Sequence, residues 1–174
     1  MVVTLVTFDL AFDRLIGHEG GLTVFAGDDG NWTGGRQGRG ELKGTKFGIA
    51  AASYPHLDIR NLTLVEAKRI YKVDFWDVLE DAHPAIRYQL FDAAVNHGLG
   101  NAIRFLQRAV GVADDGHWGP VSQAALEARE HHDVLLVFLA ERLEFWAKLK
   151  KFDDFGRGWV RRGAENLRLA AADN

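Results

Sequence analysis

The residues best suited to chemistry lie in a glycine-rich part of the N-terminal half. Glu19 stands between His18 and the Gly20-Gly21 pair, just after a segment with helical periodicity. The negative end of a helix disfavours an anion, and surroundings of that kind raise the pKa of a carboxyl group. A carboxyl that keeps its proton near neutral pH can act as a general acid. From spacing alone, an ordinary exposed loop carboxylate is an equally good interpretation of Glu19.

A second pair of acids, Asp28 and Asp29, follows in the same glycine-rich segment. Cleavage of a glycosidic bond generally takes two carboxyl groups, one to protonate the leaving oxygen and one to activate water or stabilise the cation. Glu19 together with one of these aspartates therefore favours a glycoside hydrolase. The alternative is that the aspartates only form a turn beside Gly30.

Composition argues against several other kinds of catalytic site. The chain has no cysteine, which removes thiol nucleophiles, disulfides and cysteine-based zinc sites. Its two serines, Ser53 and Ser122, give little support to a serine hydrolase. The His-Glu pair at positions 18 and 19 lacks the second histidine of a zinc-binding helix, and residues 131–133 are better explained as a helix start. We expect neither a metal nor a cofactor.

The charge of the chain gives no sign of a nucleic-acid partner. It has 21 Lys and Arg against 24 Asp and Glu, whereas phosphate chains usually require a basic excess on one face. Residues 148–168 carry a local excess of four positive charges, which could meet an anionic cell wall or form a solvated helical face. Asp9, Asp13 and Arg14 interrupt the apolar N-terminal segment, so we expect neither a signal peptide nor a membrane span.

A mainly helical chain is predicted to position the acidic residues. Apolar spacing predicts a first helix over about residues 7–17, and 11 of the 19 glycines then lie between residues 17 and 48, which predicts turns and a short hairpin. Thr63 and Glu66 have capping-box spacing ahead of a helix expected to run to about Leu79. Pro84 and Gly98 are expected to bracket a third helix.

Further helices are predicted in the C-terminal half. Their expected ranges are 101–110, 120–130, 134–150 and 156–170, with Asp133 as the N-cap of the third of them. We interpret residues 1–174 as a single domain, with the catalytic motifs in 1–80 and a helical lobe in 81–170. The glycine-rich excursion beside helices suggests a cleft.

Several motifs of the N-terminal half resemble glycoside hydrolase family 108. They are His18-Glu19-Gly20-Gly21-Leu22, Asp28-Asp29-Gly30-Asn31, Gly44-Thr45-Lys46-Phe47-Gly48-Ile49 and the run from Asn61-Leu62-Thr63 to Phe75-Trp76-Asp77. That family contains phage endolysins with a lysozyme-like fold and N-acetylmuramidase activity. The resemblance implies a mainly α, lysozyme-like single domain with a small glycine-rich excursion after the first helix, and it makes Glu19 the acid.

The same resemblance implies roles for two further residues. By likeness to the Glu, Asp, Thr set of phage-type lysozymes, Asp28 is the second carboxylate and Thr45 is the hydroxyl that helps to position water. Asp29 is the rival of Asp28. Thr33 is the rival of Thr45, because the interval from Asp28 to Thr45 is longer than in the compact form of the motif.

The C-terminal half resembles the peptidoglycan-binding-like portion that accompanies this catalytic region. The matching residues are Asp92, Asn96-His97-Gly98, Leu106-Gln107 and Asp115-Gly116-His117-Trp118-Gly119-Pro120. The resemblance implies sugar contacts from Asn96, Gln107 and Trp118, and Tyr54 is a further candidate for substrate binding. The alternative for each is an ordinary role in packing or in satisfying buried polar groups.

The activity that the resemblance implies is hydrolysis of the β-1,4 bond between N-acetylmuramic acid and N-acetylglucosamine. The partner would be the glycan strands of peptidoglycan, with no nucleic acid, no stable membrane insertion and a monomeric state. An endolysin would accumulate in the host cytoplasm until a holin releases it to the cell wall in the periplasm. Two alternatives stay open: a lytic transglycosylase, and a non-catalytic peptidoglycan-binding or secretion-helper protein.

Overall fold

The structure is a computed structural model that describes residues 5–16, 21–80 and 82–173. Helices dominate these residues, and the β structure among them is a two-stranded antiparallel hairpin with a few isolated bridges. The predicted fold class, mainly α with a small hairpin in the glycine-rich excursion, is confirmed. No helix in the described ranges is both long enough and apolar enough to cross a bilayer.

The chain divides into two compact units. Residues Phe8–Asp74 form the first, which we call the hairpin unit, and Met1–Thr7 with Phe75–Asn174 form the second, which we call the helical unit. The helical unit is therefore assembled from two separate stretches of sequence. The predicted division into residues 1–80 and 81–170 within one domain stays a prediction.

The hairpin unit contains two α-helices and one short hairpin. Its elements are α1 (Phe8–Ile16), a 3₁₀ turn (Asp29–Asn31), β1 (Thr45–Lys46), β2 (Ile49–Ala50) and α2 (Leu64–Tyr71). The apolar face of α1 buries Phe12, whose ring meets Tyr71 of α2 edge-on at a centroid distance of 5.5 Å. The first helix predicted from apolar spacing is thus confirmed.

The start of α2 is fixed by the predicted capping box. The Glu66 N–H donates to the Thr63 hydroxyl at 3.2 Å, and the Thr63 N–H donates to the Glu66 carboxylate at 2.8 Å. The α-helix ends at Tyr71, earlier than predicted. It is followed by a π-helix (Lys72–Trp76) and a 3₁₀ turn (Asp77–Leu79), so only the helical path as a whole reaches Leu79.

The helical unit is built from five α-helices within its described residues. They are α3 (Pro84–His97), α4 (Leu99–Val110), α5 (Pro120–Glu127), α6 (His131–Ala147) and α7 (Phe152–Asp173). The bounds of α3 are those predicted, with proline at its first position and Gly98 after its last. Helices α3, α4, α6 and α7 pack on one another around the core of this unit.

The predicted N-cap of α6 is wrong. The cap position is Glu130, which makes no side-chain capping bond, and Asp133 lies inside the first turn. A carboxylate there still interacts favourably with the positive end of the helix dipole. Asp133 therefore does mark the start of the helix, but from within its first turn.

The N-terminal segment belongs to the helical unit. Val6 is 6% exposed, and together with Leu5 it lines a cavity of about 440 Å³ that also contacts Pro84, Leu126 and His131. The ring of His131 stacks on His83 at a centroid distance of 3.5 Å on the same cavity. The start of the chain thus completes the packing of helices that come much later in sequence.

Candidate active site

The structure describes some of the predicted catalytic residues. Glu19 lies outside the described residues, whereas the rival carboxylates and threonines all lie within them. In ranges 5–16, 21–80 and 82–173, no three His, Asp or Glu side chains are grouped so that they could hold a metal ion. The geometry of the site is therefore built from the loop and hairpin that carry Asp28 and Thr45.

Asp28 is the N-cap of the 3₁₀ turn. Its Oδ1 accepts a hydrogen bond from the Gly30 N–H at 2.9 Å, and its backbone carbonyl accepts from the Asn31 N–H at 3.1 Å. The side chain is exposed. The turn thus orients a carboxylate and leaves it open to solvent.

Asp29 makes longer-range contacts than Asp28. Its Oδ1 accepts a hydrogen bond from the Gln37 N–H at 3.0 Å, and the Gln37 side-chain amide donates to the Gly27 carbonyl at 2.8 Å. Asp29 therefore ties the neighbouring loop to the turn, while the bond of Asp28 stays inside its own turn.

The two threonines differ in what their hydroxyl groups do. The Thr33 hydroxyl accepts a hydrogen bond from the Glu41 N–H at 2.8 Å and lies against Gly40, where an added Cβ would come within 2.2 Å of it. The half-buried side chain of Thr45 makes no hydrogen bond to any described residue. Of the two, Thr45 is the one with an uncommitted hydroxyl.

Backbone hydrogen bonds join the Asp28 turn to the hairpin. The Asn31 carbonyl accepts from the N–H groups of Lys43 and Gly44, both at 3.0 Å, and the Gly30 carbonyl accepts from the Ala52 N–H at 3.0 Å. Thr45 lies between these contacts and pairs with Ala50 in the hairpin. The structure therefore brings the Asp28 turn and the Thr45 strand into one framework.

Glycine is required at the residue before Thr45. Gly44 has a φ of 88°, and a Cβ at this position would lie 2.4 Å from the carbonyl oxygen of Thr23. That carbonyl accepts a hydrogen bond from the Thr45 N–H at 2.9 Å. The absence of a side chain at Gly44 thus lets the Thr23 segment approach the strand that carries Thr45.

Helix α2 supports the turn of the hairpin. Phe47 and Gly48 both have positive φ, 51° and 75°. The Tyr71 hydroxyl donates to the Phe47 carbonyl at 3.1 Å and lies 2.4 Å from the position of an added Gly48 Cβ. The resemblance motif that ends in Phe47-Gly48-Ile49 therefore contains the turn residues of the hairpin.

Asn31 is a feature that the sequence analysis did not single out. Its side chain is 0% exposed, and neither Oδ1 nor Nδ2 has a hydrogen-bond partner among the residues that the structure describes. A buried amide without partners is rare in folded proteins, because desolvating it costs about 1–3 kcal/mol. Only its place in the Asp28-Asp29-Gly30-Asn31 motif could have drawn attention to it.

Tyr54 uses its hydroxyl inside the hairpin unit. The hydroxyl donates to Oδ2 of Asp74 at 2.7 Å, and the side chain is half-buried. Burial, followed by the adjacent Asp74 carboxylate, raises the pKa of Tyr54 well above its usual value. The phenol therefore stays protonated and acts as a donor. Its predicted contact with substrate stays a prediction.

Gln107 holds in place the turn that contains Asp115, Gly116 and His117. Its Nε2 donates to Asp115 Oδ1 at 2.8 Å, to the His117 carbonyl at 3.0 Å and to Ser122 Oγ at 3.2 Å, while its Oε1 accepts from the Gly116 N–H at 2.9 Å. The side chain is 1% exposed. These contacts give Gln107 a structural role, and a sugar contact for it stays a prediction.

Trp118 and Asn96 occupy different surroundings. The Trp118 indole N–H donates to Gln123 Oε1 at 3.1 Å, and its ring borders a cavity of only about 50 Å³. Asn96 is exposed, donates to the Asp92 carbonyl at 2.6 Å and lies at the edge of a cavity of about 560 Å³. Of these two predicted sugar-binding residues, Asn96 has the larger space beside it.

Asp92 is the centre of a buried ion network that the sequence patterns did not predict. Its carboxylate accepts hydrogen bonds from Arg142 Nη2 at 2.6 Å, Arg162 Nη2 at 2.6 Å and Asn166 Nδ2 at 2.9 Å. Burial opposes ionisation, but the two guanidinium groups outweigh it and hold the pKa of Asp92 below its usual range. The network links α3, α6 and α7.

Comparison with known proteins gives a match to one family model and matches to solved structures. A family model described as Glycosyl hydrolase 108 matches residues 12–98, which is half of the chain. A search of curated proteins gives no match. The solved structure titled "Structure of Brucella abortus SagA" is similar to this chain, with 24% sequence identity, coverage of 95% of this chain and 94% of that chain, and a TM-score of 0.76. At that identity the likeness shows a shared fold.

Proposed function

This chain belongs to glycosyl hydrolase family 108, and on that premise we propose that it hydrolyses the β-1,4 bond between N-acetylmuramic acid and N-acetylglucosamine in bacterial peptidoglycan. The observation that carries the proposal is the family match over residues 12–98, a segment that contains Glu19, Asp28 and Thr45. The framework that joins the Asp28 turn to the Thr45 strand supports it.

In the proposed reaction, Glu19 donates its proton to the leaving glycosidic oxygen as the bond from that oxygen to the anomeric carbon breaks. Asp28 accepts a proton from the water whose oxygen forms the new bond to that carbon. The orientation of Asp28 by the Gly30 N–H supports this role, because a carboxylate fixed in a turn needs little reordering before it acts.

Thr45 is proposed to orient the attacking water. Its hydroxyl makes no hydrogen bond within the described part of the chain, which supports this choice over Thr33, whose hydroxyl already accepts a backbone hydrogen bond. A similar argument favours Asp28 over Asp29 as the second acid, because the Asp29 carboxylate already binds the Gln37 N–H and so connects two loop segments. We therefore keep Glu19, Asp28 and Thr45 as the proposed catalytic set.

Inversion at the anomeric carbon is the proposed stereochemical outcome, by likeness to phage-type lysozymes. Inverting glycosidases separate their two carboxyl groups by roughly 6.5–9.5 Å to leave room for water, and retaining enzymes by about 5–5.5 Å. Proton NMR of the first sugar product should show the α-anomer for an inverting enzyme. An initial β-anomer would instead show retention, with either Asp28 or the acetamido group of the substrate as the nucleophile.

The test of the proposed reaction is product analysis on purified sacculi with four proteins. Wild type should release muropeptides with reducing N-acetylmuramic acid ends. Glu19→Gln should lower the rate by about 10²–10⁴, the usual contribution of general acid–base catalysis. Asp28→Asn should also be severely impaired, whereas the matched control Asp29→Asn should keep activity as long as its loop stays folded.

Three outcomes would contradict the proposal. Undiminished lysis by Glu19→Gln would remove this residue from the mechanism. Products with 1,6-anhydro ends would identify a lytic transglycosylase instead. Binding to sacculi without any release of muropeptides by wild type would identify a non-catalytic peptidoglycan-binding protein.

The biological role that we propose is that of an endolysin, following the phage proteins of the resembled family. The protein would accumulate in the host cytoplasm as a monomer and reach the periplasmic cell wall when a holin opens the membrane. Expression in a bacterial host should then cause lysis only together with a holin. Lysis without one would contradict this route.

A further inference from the structure

The helical unit contains a cavity of about 560 Å³ that no part of the proposed reaction uses. Helices α3, α6 and α7 contribute its walls. The lining combines aromatic rings with a few polar groups: Asn96, His97, Phe145, Trp146, Trp159 and Arg162. Cavities of roughly this size, apolar with a few convergent polar groups, are typical of small-molecule sites.

The aromatic wall of the cavity continues onto the surface of α7. The Trp159 ring stacks on Phe155 at a centroid distance of 6.1 Å and an interplanar angle of 29°, and Phe155 is 53% exposed. Next to Trp159, Gly158 has open space where a side chain would be. Flat, accessible rings of this kind provide a packing surface for the C–H face of a sugar ring.

The cavity is also positively charged. The Nε and Nη2 of Arg162 are bound to Asp92, at 3.5 and 2.6 Å, while Nη1 has no acceptor among the described residues. The side chain of Arg162 is 34% exposed, whereas Asp92 and Arg142 are buried. Two arginines and one aspartate leave one net positive charge, and the low-dielectric surroundings weaken its screening.

His97 adds polarity to the cavity without adding charge. Phe105, Phe145 and Trp146 surround its ring at centroid distances of 5.3–5.6 Å. Burial, and then the charge of Arg142, lower the pKa of His97 to about 4, so the ring is neutral at pH 7. Its Nε2 is buried and has no hydrogen-bond partner in residues 5–16, 21–80 and 82–173.

The segment that carries Arg162 is rich in exposed basic residues. Lys150, Lys151, Arg157 and Arg161 are all exposed on or just before α7. Clustered charge of one sign raises the local concentration of ligands of opposite sign. The basic run noted in the sequence therefore lies on the element that forms one wall of the cavity.

We propose that this cavity binds an acidic N-acetylated sugar, with the ligand carboxylate on Nη1 of Arg162 and the sugar ring against Trp159. This inference rests on the proposed function for the source of the ligand, since the lactyl group of N-acetylmuramic acid carries a free carboxylate wherever the stem peptide has been removed from the glycan strand. It adds to that function a glycan-binding site in the helical unit that selects the acidic sugar over the neutral one.

The test is a titration of full-length Glu19→Gln protein with N-acetylmuramic acid and with N-acetylglucosamine, followed through the indole N–H signals in NMR spectra. The acidic sugar should bind about tenfold or more tightly than the neutral one, as expected for a charge-assisted hydrogen bond. Arg162→Gln should abolish this preference. The matched control Arg161→Gln changes an exposed neighbour on the same helix and should retain it.

A second variant leaves the Asp92 network intact. Gly158→Leu adds a side chain into the open space beside Trp159 and should block both sugars, while the helix tolerates leucine well. Far-UV circular dichroism and thermal unfolding identify any variant that fails to fold. If folded Gly158→Leu binds N-acetylmuramic acid as wild type does, or if the two sugars bind equally, the inference is wrong.

Hydrolysis of sacculi by wild type separates failure of this inference from failure of the proposed function. Hydrolysis without any binding of N-acetylmuramic acid to the helical unit would overturn the cavity proposal alone. Selective binding that Gly158→Leu removes, in a protein that hydrolyses nothing, would support the cavity proposal and overturn the hydrolase.

Discussion

The two units of the chain use polar groups in opposite ways. In the hairpin unit, acidic and hydroxyl side chains near the surface bond to nearby backbone N–H groups, as Asp28 does with Gly30 and Thr33 does with Glu41. In the helical unit, Asp92 and Arg142 are 2% and 1% exposed and pair across 50 positions of sequence. Both arrangements give the carboxylate hydrogen-bond donors, but the two carboxylates lie in different environments.

We infer from this difference that the polar groups of the helical unit serve stability, whereas those of the hairpin unit stay accessible for chemistry. A carboxylate oriented by its own turn can still meet a substrate, because one oxygen and its exposed face stay accessible. A carboxylate enclosed by two arginines and an asparagine cannot. Variants of matched chemistry in the two units should therefore have opposite effects on stability and on activity.

The largest effect on stability is expected from Asp92→Asn. Removing this charge leaves Arg142 and Arg162 facing a neutral group in the interior, which typically costs about 3–5 kcal/mol of unfolding free energy. Urea denaturation followed by circular dichroism measures the loss. The matched change Asp28→Asn should alter unfolding by less than about 1 kcal/mol while impairing hydrolysis, and equal stability losses in the two variants would contradict the comparison.

Gly44→Ala should have the next largest effect, and it affects the hairpin unit. A Cβ at this position requires the Thr23 carbonyl to move and holds a non-glycine residue at positive φ, which together should cost about 2–3 kcal/mol. Hydrogen exchange should show faster opening of the Thr23–Thr45 pairing. Gly35→Ala is the control, since Gly35 also has positive φ but open space around it. If Gly35→Ala lowers the free energy of unfolding as much as Gly44→Ala does, backbone strain alone would explain both losses and the contact with Thr23 would not matter.

Lowering the pH should weaken the helical unit through His97. The pKa of His97 is about 4 in the folded protein against an ordinary value of 6.5, so the unfolded chain binds the proton more tightly. The contribution of His97 to stability is complete above about pH 6.5 and decreases as the pH falls toward 4, by about 1–2 kcal/mol once solvent screening is included. Unfolding curves at several pH values measure this decline.

A phenylalanine at position 97 isolates the histidine from other acid-sensitive groups. His97→Phe should have a smaller fall in unfolding free energy between pH 6.5 and 4 than wild type. His117→Phe replaces a histidine whose side chain is 89% exposed and should keep the wild-type decline. If the two variants have the same pH profile, His97 is not the source of the decline.

The smallest effect is expected at the capping box of α2. Thr63→Ala removes the acceptor for the Glu66 N–H and should lower unfolding free energy by about 1 kcal/mol. Val65→Ala is the control; Val65 lies two residues after Thr63 and is 79% exposed, so this variant should change stability much less. Urea unfolding of both variants compares them directly, and a larger loss for Val65→Ala would exclude the cap as the stabilising feature.

Helix bounds could be predicted where the sequence contains residues that typically start or end a helix. Pro84 and Gly98 fix α3 because proline suits the first helical turn and glycine the residue after the last. The start of α7 was predicted at Gly156 but lies at Phe152. Gly156 and Gly163 are helical glycines kept for close packing, since a Cβ at Gly163 would lie 2.6 Å from Leu143. Sequence alone does not distinguish such a glycine from a helix terminator.

The candidate site divides in the same way. The motifs around Asp28 and Thr45 are local, so resemblance could locate them, and the capping and turn chemistry followed from neighbours in sequence. The Asp92 network joins residues 50 to 74 positions apart, and no local pattern specifies which arginine meets which acid. The buried Asn31 amide, which has no partner among the described residues, likewise depends on packing that no local pattern specifies.

Val6 is buried in the unit that is formed mainly by residues 75–174, and this has a consequence for how genes of this family can recombine. One genetic crossover near residue 74 would transfer the five C-terminal helices without the segment that completes their packing. Recombination that preserves both units needs two junctions, at residues 7/8 and 74/75, and moves Phe8–Asp74 as an insert. Chimeras of this family should therefore inherit the hairpin unit as a cassette.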